Sequence, residues 1–318
     1  MCYTFSVSPN GERKDTAMKA YRVTPVSQDR LWGGTRLFSY GKTSGTGRIA
    51  ESWELSFTPG GIASVDGIPL TDAFGKETWG ERAGDFPRFP VLTKFIDAKE
   101  NLSVQVHPSD AYALSHEGSY GKTEMWLIVE ATPGAGLYLG CTRDVTREEF
   151  RQAAEDGTVE KLLRFVPVHP GEVYFIPAGT LHAIGAGVLL YEIQQNSDLT
   201  YRVYDYGRRG ADGKQRPLHL AKALEVADLS PYIPAKIPAN DPAVIGSCPY
   251  FTTRFYKQIF ANKKFFVTKD SFLAFTVIDG DGTIDGQKAA RGDTFFVPAG
   301  AGEIPVEGAL TLVTVSLG

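Results

Sequence analysis

GEVYFIPAGTLH, residues 171–182, aligns without a gap on GDTFFVPAGAGE, residues 292–303. In both copies a Gly opens a turn, an aromatic pair enters a strand, and Pro ends the hydrogen-bonded ladder. The Gly of Pro-Ala-Gly then lets the chain swing back close to the sheet. The side chain that follows the swing is expected to point inward: His182 in the first copy, Glu303 in the second. Two copies of one β-unit predict two related β-barrels.

The surrounding segments have the same character. FPVLTKFIDA, EMWLIVEA, GLYLG, VLLYEIQQ and TYRVYDYG are short, rich in β-branched and aromatic residues, and bounded by Gly or Pro, the pattern of an all-β barrel or sandwich. Helical spacing intrudes in few places. TREEFRQAAEDGTVEKLLRFV opens with a capping-box spacing from Thr146 to Glu149, and RPLHLAKALEVADLS follows Pro217. Both read as decorations on the β framework. Five prolines in SPYIPAKIPANDPAVIGSCP mark an extended connector over residues 230–249. The expected division is a dispensable N-terminal extension at 1–18, a domain with helical insertions at 19–235, and a C-terminal β domain at 236–318.

Composition excludes several classes of function. The 318 residues carry 33 Lys and Arg against 37 Asp and Glu, a formal charge of −4, with no basic block; that argues against nucleic-acid binding. No apolar run reaches the ~18 residues of a membrane helix. The opening MCYTFSVSPNGERKD lacks the basic start and apolar core of a signal peptide, so a cytoplasmic location is expected. Three cysteines, far apart and without a C-x-x-C, form neither a disulfide framework nor a thiolate metal site.

Chemistry concentrates elsewhere. In NLSVQVHPSD, residues 101–110, Gln105 and His107 sit two apart in a β-branched run that stops at Pro108, so both leave the same face of a strand. In TEMWLIVEA, Glu124 shares a face with Trp126 and Ile128. A carboxylate aimed into an apolar interior needs a cation.

The form Gly, five residues, Pro-x-Gly, two residues, His over residues 171–182 resembles the second motif of the cupin barrels, in which that His is a metal ligand. The Asn usual a few residues later is absent, since HAIGAG continues small and apolar. At a finer level FPVLTKFIDAKENLSVQVHPSD, GKTEMW, PAGTLHAIGAG and EIQQNSDLTYRVYDYGR, in this order and preceded by RLWGGTRL and IAESWELS, resemble the type I phosphomannose isomerases. The likeness is close over residues 19–225 and loose beyond. It implies a mainly β chain of two cupin-like jelly-roll barrels with a few helical decorations, the first catalytic and the second degenerate. It also implies a zinc ion held by Gln105, His107, Glu124 and His182; because the second copy has Glu303 in place of His182 and no His-x-His or Gln-x-His nearby, one zinc per chain is expected. The implied reaction interconverts mannose 6-phosphate and fructose 6-phosphate through an enediol, with Arg202, Lys122, Lys94 and Asp198 as catalytic candidates. A phosphosugar is the expected partner, with no nucleic acid, membrane or obligate protein partner.

The implied donor set suits the metal on chemical grounds. Neutral imidazoles and a carboxylate suit Zn²⁺, and a weak amide oxygen as fourth donor leaves room for water or substrate. Arg202 has a planar, permanent charge fit for a phosphate or a developing enediolate. Lys122, two residues before Glu124, is expected to share its strand face, and beside zinc its pKa would fall, making it a candidate acid or base. Gly121 stands where some members of the family have His, so a proton-transfer role for that His is not implied here. His116, His169 and His219 fall in none of these motifs, with His219 early in a predicted helix. Glu192, in YEIQQ, is read as an ordinary strand carboxylate rather than a partner of the site.

Two rivals share the fold. An iron dioxygenase would need Fe²⁺ and O₂ but no phosphate contacts, and the missing second His of the first cupin motif and the Lys122/Arg202 pair speak against it. A silent sugar-binding regulator should have lost ligands, and this chain keeps all four.

Overall fold

The computed structural model describes residues 19–318 apart from 85, 211, 234–235, 238–242 and 260–261, and only the backbone of 236–237. The extension expected at 1–18 and the boundary residue 235 lie outside the described residues. Within them the chain is mainly β, with three large sheets and a two-stranded ribbon.

A seven-stranded sheet runs in the order Lys236–Ile237, Val173–Ile176, Glu124–Ala131, Val188–Gln195, Val91–Asp97, Glu51–Trp53, Val26–Gln28. A five-stranded sheet runs Leu163–Pro167, Gly136–Cys141, His182–Ile184, Val104–Val106, Tyr201–Tyr204. Their inner faces pack together through Trp126, Ile128, Leu190, Leu137, Leu139 and Ile184. Strand alternation puts Val104, Val106, Ala183 and Val203 on the opposite side of the five-stranded sheet, under the helices Arg147–Glu155 and Leu220–Val226. The first of these helices has the expected cap, Glu149 N donating to Thr146 Oγ1 at 3.1 Å. A helix at Asp110–His116 was not expected from the sequence.

The other face of the seven-stranded sheet is also apolar. Phe95, Leu127, Tyr191 and Ile193 pack on Phe272, Phe296, Val313 and Val315 of an eight-stranded sheet formed mainly by the C-terminal residues. The strand Tyr21–Val23 joins that sheet by pairing with Thr294–Val297. A buried polar group crosses the same junction, with Lys42 Nζ 2.7 Å from Glu54 and Thr294 Oγ1 donating to Glu54 at 3.0 Å. Phe296 is fully buried among Phe74, Phe272, Phe57 and Phe89, with ring centroids 4.6–6.3 Å away. Phe296→Ala should therefore cost roughly 3–5 kcal/mol of stability in urea unfolding. A loss under about 1 kcal/mol would mean that the two layers do not depend on this aromatic junction.

The repeat is visible in the backbone. Gly171 and Gly292 have φ of 88° and 92°, and Gly179 and Gly300 have 89° and 79°. Both Pro-Ala-Gly turns close alike, Thr180 N on Pro177 O at 3.2 Å and Ala301 N on Pro298 O at 3.3 Å. The copies then diverge. His182 begins its strand and is buried, whereas Glu303 is exposed and pairs with Lys264 at 2.8 Å, leaving Ile304 to face inward. The expectation that Glu303 points inward fails for a local reason. Gly302 adds a further left-handed residue at φ 77°, which reverses the face that each following side chain takes.

Candidate metal centre and adjoining cavity

The five-stranded sheet brings two of the expected ligands side by side. His182 lies opposite Gln105, and on its other flank Gln105 lies opposite Arg202. Val104 and Val106 face the helices, so Gln105 turns between the sheets, and His107 follows just beyond the strand end. The Pro-Ala-Gly turn secures both segments, because Gly179 N donates to His107 O at 2.8 Å. Glu124, the first residue of its strand, meets them from the facing sheet.

Donor atoms of His107, Glu124 and His182 all lie within 4.8 Å of one another, and all three residues are buried. Glu124 Oε1 is 3.2 Å from His182 Nε2, and Glu124 Oε2 is 3.7 Å from His107 Nε2. The Gln105 amide reaches to 3.2 Å of His182 Nε2; a half-turn of the amide places its oxygen there. Each imidazole is oriented from behind: His107 Nδ1–H donates to Leu199 O at 2.7 Å and His182 Nδ1–H to Thr180 O at 2.9 Å. Their Nε2 lone pairs are thereby left toward the carboxylate.

Burial sets the charge states. It pushes His107 well below its ordinary value, with the Lys122 charge and His182 adding to the effect, and takes His182 down to about 4. Both rings are neutral near pH 7, the form a metal requires. Glu124 moves up, because burial outweighs the pull of Lys122. Neither of its oxygens accepts a well-directed hydrogen bond, although Lys122 Nζ stands 2.8 Å from Oε2. A buried carboxylate so poorly satisfied, faced by two imidazole lone pairs and an amide, fits a divalent cation with mixed nitrogen and oxygen ligands.

Lys122 reaches the site by a different route from the one expected. It precedes the Glu124 strand instead of lying in it, anchored by Lys122 N donating to Pro108 O at 3.0 Å. Gly121 makes that anchor possible: a Cβ there would fall 2.5 Å from Asp110 N and Ser109 C. The ammonium sits 3.3 Å from His107 Nε2. Burial would lower the Lys122 pKa, but Glu124 and Glu192 outweigh it and the pKa is raised.

A cavity of about 350 Å³ opens beside this cluster, bordered by Lys94, Lys122, Glu192, Asp198 and Arg202. Lys94 is 3.5 Å from Glu192 and 3.6 Å from Glu51, and its ammonium lies 5.0 Å from the Trp53 ring centre. Asp198 is exposed at the rim, and Arg202 is half-buried. Glu192 is not an ordinary strand carboxylate. It pairs with Lys94 and Lys122 and accepts from Trp126 Nε1 at 2.9 Å. A carboxylate in the wholly buried run Val188–Gln195 was the available signal. His219, passed over as an early helix residue, lines the cavity from the cap position of Leu220–Val226, as does Arg216. His116 and His169 lie apart from the site, His116 stacked on Tyr112 and His169 paired with Glu172 at the surface.

Facing β-sheets with two histidines and a carboxylate converging between them describe a cupin fold with a candidate metal site. Residues 241–317 match the family model "Mannose-6-phosphate isomerase, cupin domain". Mannose-6-phosphate isomerase ManA of Bacillus subtilis is 38% identical over 303 residues, 89% of this chain and 94% of that protein. The mannose-6-phosphate isomerase of Streptococcus mutans serotype c is 36% identical over 289 residues, 85% of this chain and 89% of that one. The crystal structure of the mannose 6-phosphate isomerase from Bacillus subtilis superposes with a TM-score of 0.84 at 33% identity, over 93% of this chain and 99% of that one. The chain belongs to the mannose-6-phosphate isomerase family.

Proposed function

We propose that this protein interconverts mannose 6-phosphate and fructose 6-phosphate, with one zinc ion held by Gln105, His107, Glu124 and His182. The observation that carries the metal assignment is Glu124, buried and poorly satisfied between two imidazole nitrogens at 3.2 and 3.7 Å and beside a cation-rich cavity. Family membership supports the substrate pair. Zinc bound there would supply Lewis acidity toward the sugar oxygens at C1 and C2.

The chain's own residues account for the rest. Isomerisation moves a proton between C2 and C1 through an enediol, so negative charge grows on O1 and O2. Lys94 and Lys122, both buried and both facing Glu192, hold fixed positive charge beside those oxygens. Lys122, 2.8 Å from Glu124 and 3.8 Å from Glu192 at the cavity wall, is placed to exchange a proton with those oxygens. Arg202 meets the anionic charge of the substrate, and Asp198 at the rim accepts from sugar hydroxyls. Trp32 and Trp53 supply apolar wall against the carbon face of the ring. In this reading residues 19–235 carry the chemistry, residues 236–318 buttress the metal-bearing layer, residues 1–18 are dispensable, and the enzyme works in the cytoplasm.

The test is a coupled assay for fructose 6-phosphate formed from mannose 6-phosphate. Product should form at a rate proportional to enzyme. A folded, zinc-loaded preparation that yields none would end the isomerase reading.

A further inference from the structure

We propose that Arg216 and His219, together with Arg202, form the phosphate-binding end of the cavity, and that Asp205 is a positioning residue that holds Arg216 for this task. The assignment rests on the isomerase reading only for the identity of the sugar; the anion site is defined by its own geometry.

The chain between Tyr201–Tyr204 and the helix Leu220–Val226 leaves the strand and returns to it. His219 N donates to Arg202 O at 2.7 Å, and Arg202 N donates to His219 Nδ1 at 3.2 Å. An accepting Nδ1 puts the ring proton on Nε2, so neutral His219 offers an N–H to a ligand. Burial, with the charge of Arg202, holds its pKa below the ordinary value and favours that neutral form. Arg216 directs Nε and Nη2 onto the two oxygens of Asp205 at 2.7 and 2.5 Å. Its Nη1 has no protein acceptor among the described residues.

Asp205 is buried and shared, because Arg208 pairs with it too while donating from Nη1 to Asn101 O at 2.6 Å. Two guanidinium groups thus pair with one buried carboxylate, and Arg202 stands near enough to feel the charge of Arg216, Asp205 and Arg208. Arg202 is incompletely satisfied in this company: Nη1 donates to Pro217 O at 3.1 Å, but its buried Nε has no partner. Concentrating like charge away from water is costly unless an anion joins it. Planar forks with spare N–H donors are the groups that bind a phosphate monoester most specifically.

The placement selects among phosphosugars. Arg202 is opposite Gln105, and Gln105 is opposite His182. The cationic corner thus lies two strand spacings from His182, about 10 Å across the sheet, and one spacing from the strand that leads into His107. A hexose with its C1–C2 end at the metal centre puts the far end of its carbon chain there. A 6-phosphate fits this arrangement and a 1-phosphate does not.

Calorimetry of the full-length, zinc-loaded protein with inorganic phosphate tests the site without recourse to catalysis. Arg216→Gln should weaken phosphate about tenfold or more, since it removes one charge-assisted fork. His219→Ala should weaken it less. With mannose 6-phosphate, Arg216→Gln should raise KM more than it lowers kcat, and Arg216→Lys, which keeps the charge and a contact to Asp205, should restore part of the loss. Asp205→Asn should shift KM in the same direction as Arg216→Gln. Parental phosphate affinity in folded Arg216→Gln, or in folded Arg216→Lys should the former fail to fold, overturns the assignment. Phosphate binding that depends on Arg216 in a protein without isomerase turnover would uphold this site and remove the isomerase reading. Turnover with unchanged KM in Arg216→Gln would do the reverse.

Discussion

Protein stripped of metal by a chelator should lose its isomerase turnover, and one equivalent of zinc per chain should restore it. Two imidazoles supply the histidine nitrogens of the cluster among the described residues, so His107→Ala or His182→Ala should each purify without stoichiometric zinc. The pH dependence has a definite sign. His107 and His182 are pushed down by burial and bring no proton to be displaced, whereas Glu124 is pushed up. Zinc must then compete with the proton on Glu124, and its affinity should weaken as pH falls through the range where that raised carboxylate titrates. Proton release on zinc uptake in weakly buffered solution measures this directly. Glu303→Gln should leave zinc content unchanged and kcat within about threefold, under ~0.7 kcal/mol, because Glu303 is an exposed partner of Lys264. Full turnover without metal, or two zinc ions per chain, would refute the assignment.

Arg202→Ala should lower kcat/KM by about 10²–10³-fold, the scale of removing a buried donor that meets substrate charge. The variant should still fold and hold zinc, since Arg202 lies beyond Gln105 from His182, is not among the candidate ligands, and makes one side-chain hydrogen bond, to Pro217 O. Arg202→Lys should recover only part of the loss, because an ammonium cannot reproduce a planar fork. Kinetics close to the parent's in a folded Arg202→Ala would show that the charge is not used.

The elements of the fold were legible wherever the signal is local. Strand periodicity, the Thr146 cap and the repeated Gly and Pro positions need only neighbouring residues, and each appears in the structure where the chain signals it. The Gln105 and His107 pair and the lone carboxylate of Glu124 were legible for the same reason, as departures from an apolar period-two pattern. The resemblance brought His182 and Arg202 into the same set, and the sheet order puts Gln105 directly between them.

Other features depend on contacts that no local pattern encodes. Lys122 approaches Glu124 from ahead of the strand because Gly121 packs on the Pro108–Ser109 backbone. Glu192 is a partner of Lys94 because the neighbouring strand places it directly opposite, and of Lys122 because the segment ahead of Glu124 brings that ammonium to 3.8 Å. Arg216 and His219 come to the cavity only when the loop after Tyr204 folds back on Arg202. Glu303 shows how small the difference can be, since one more left-handed residue at Gly302 turns an inward position outward. The sequence by itself determined which residues form strands, where they turn and which polar groups interrupt the apolar faces, because backbone sterics and side-chain alternation act over a few residues. The tertiary structure alone decided which of those groups meet, because strand order, pleat phase and loop return are set by packing between residues distant in the chain.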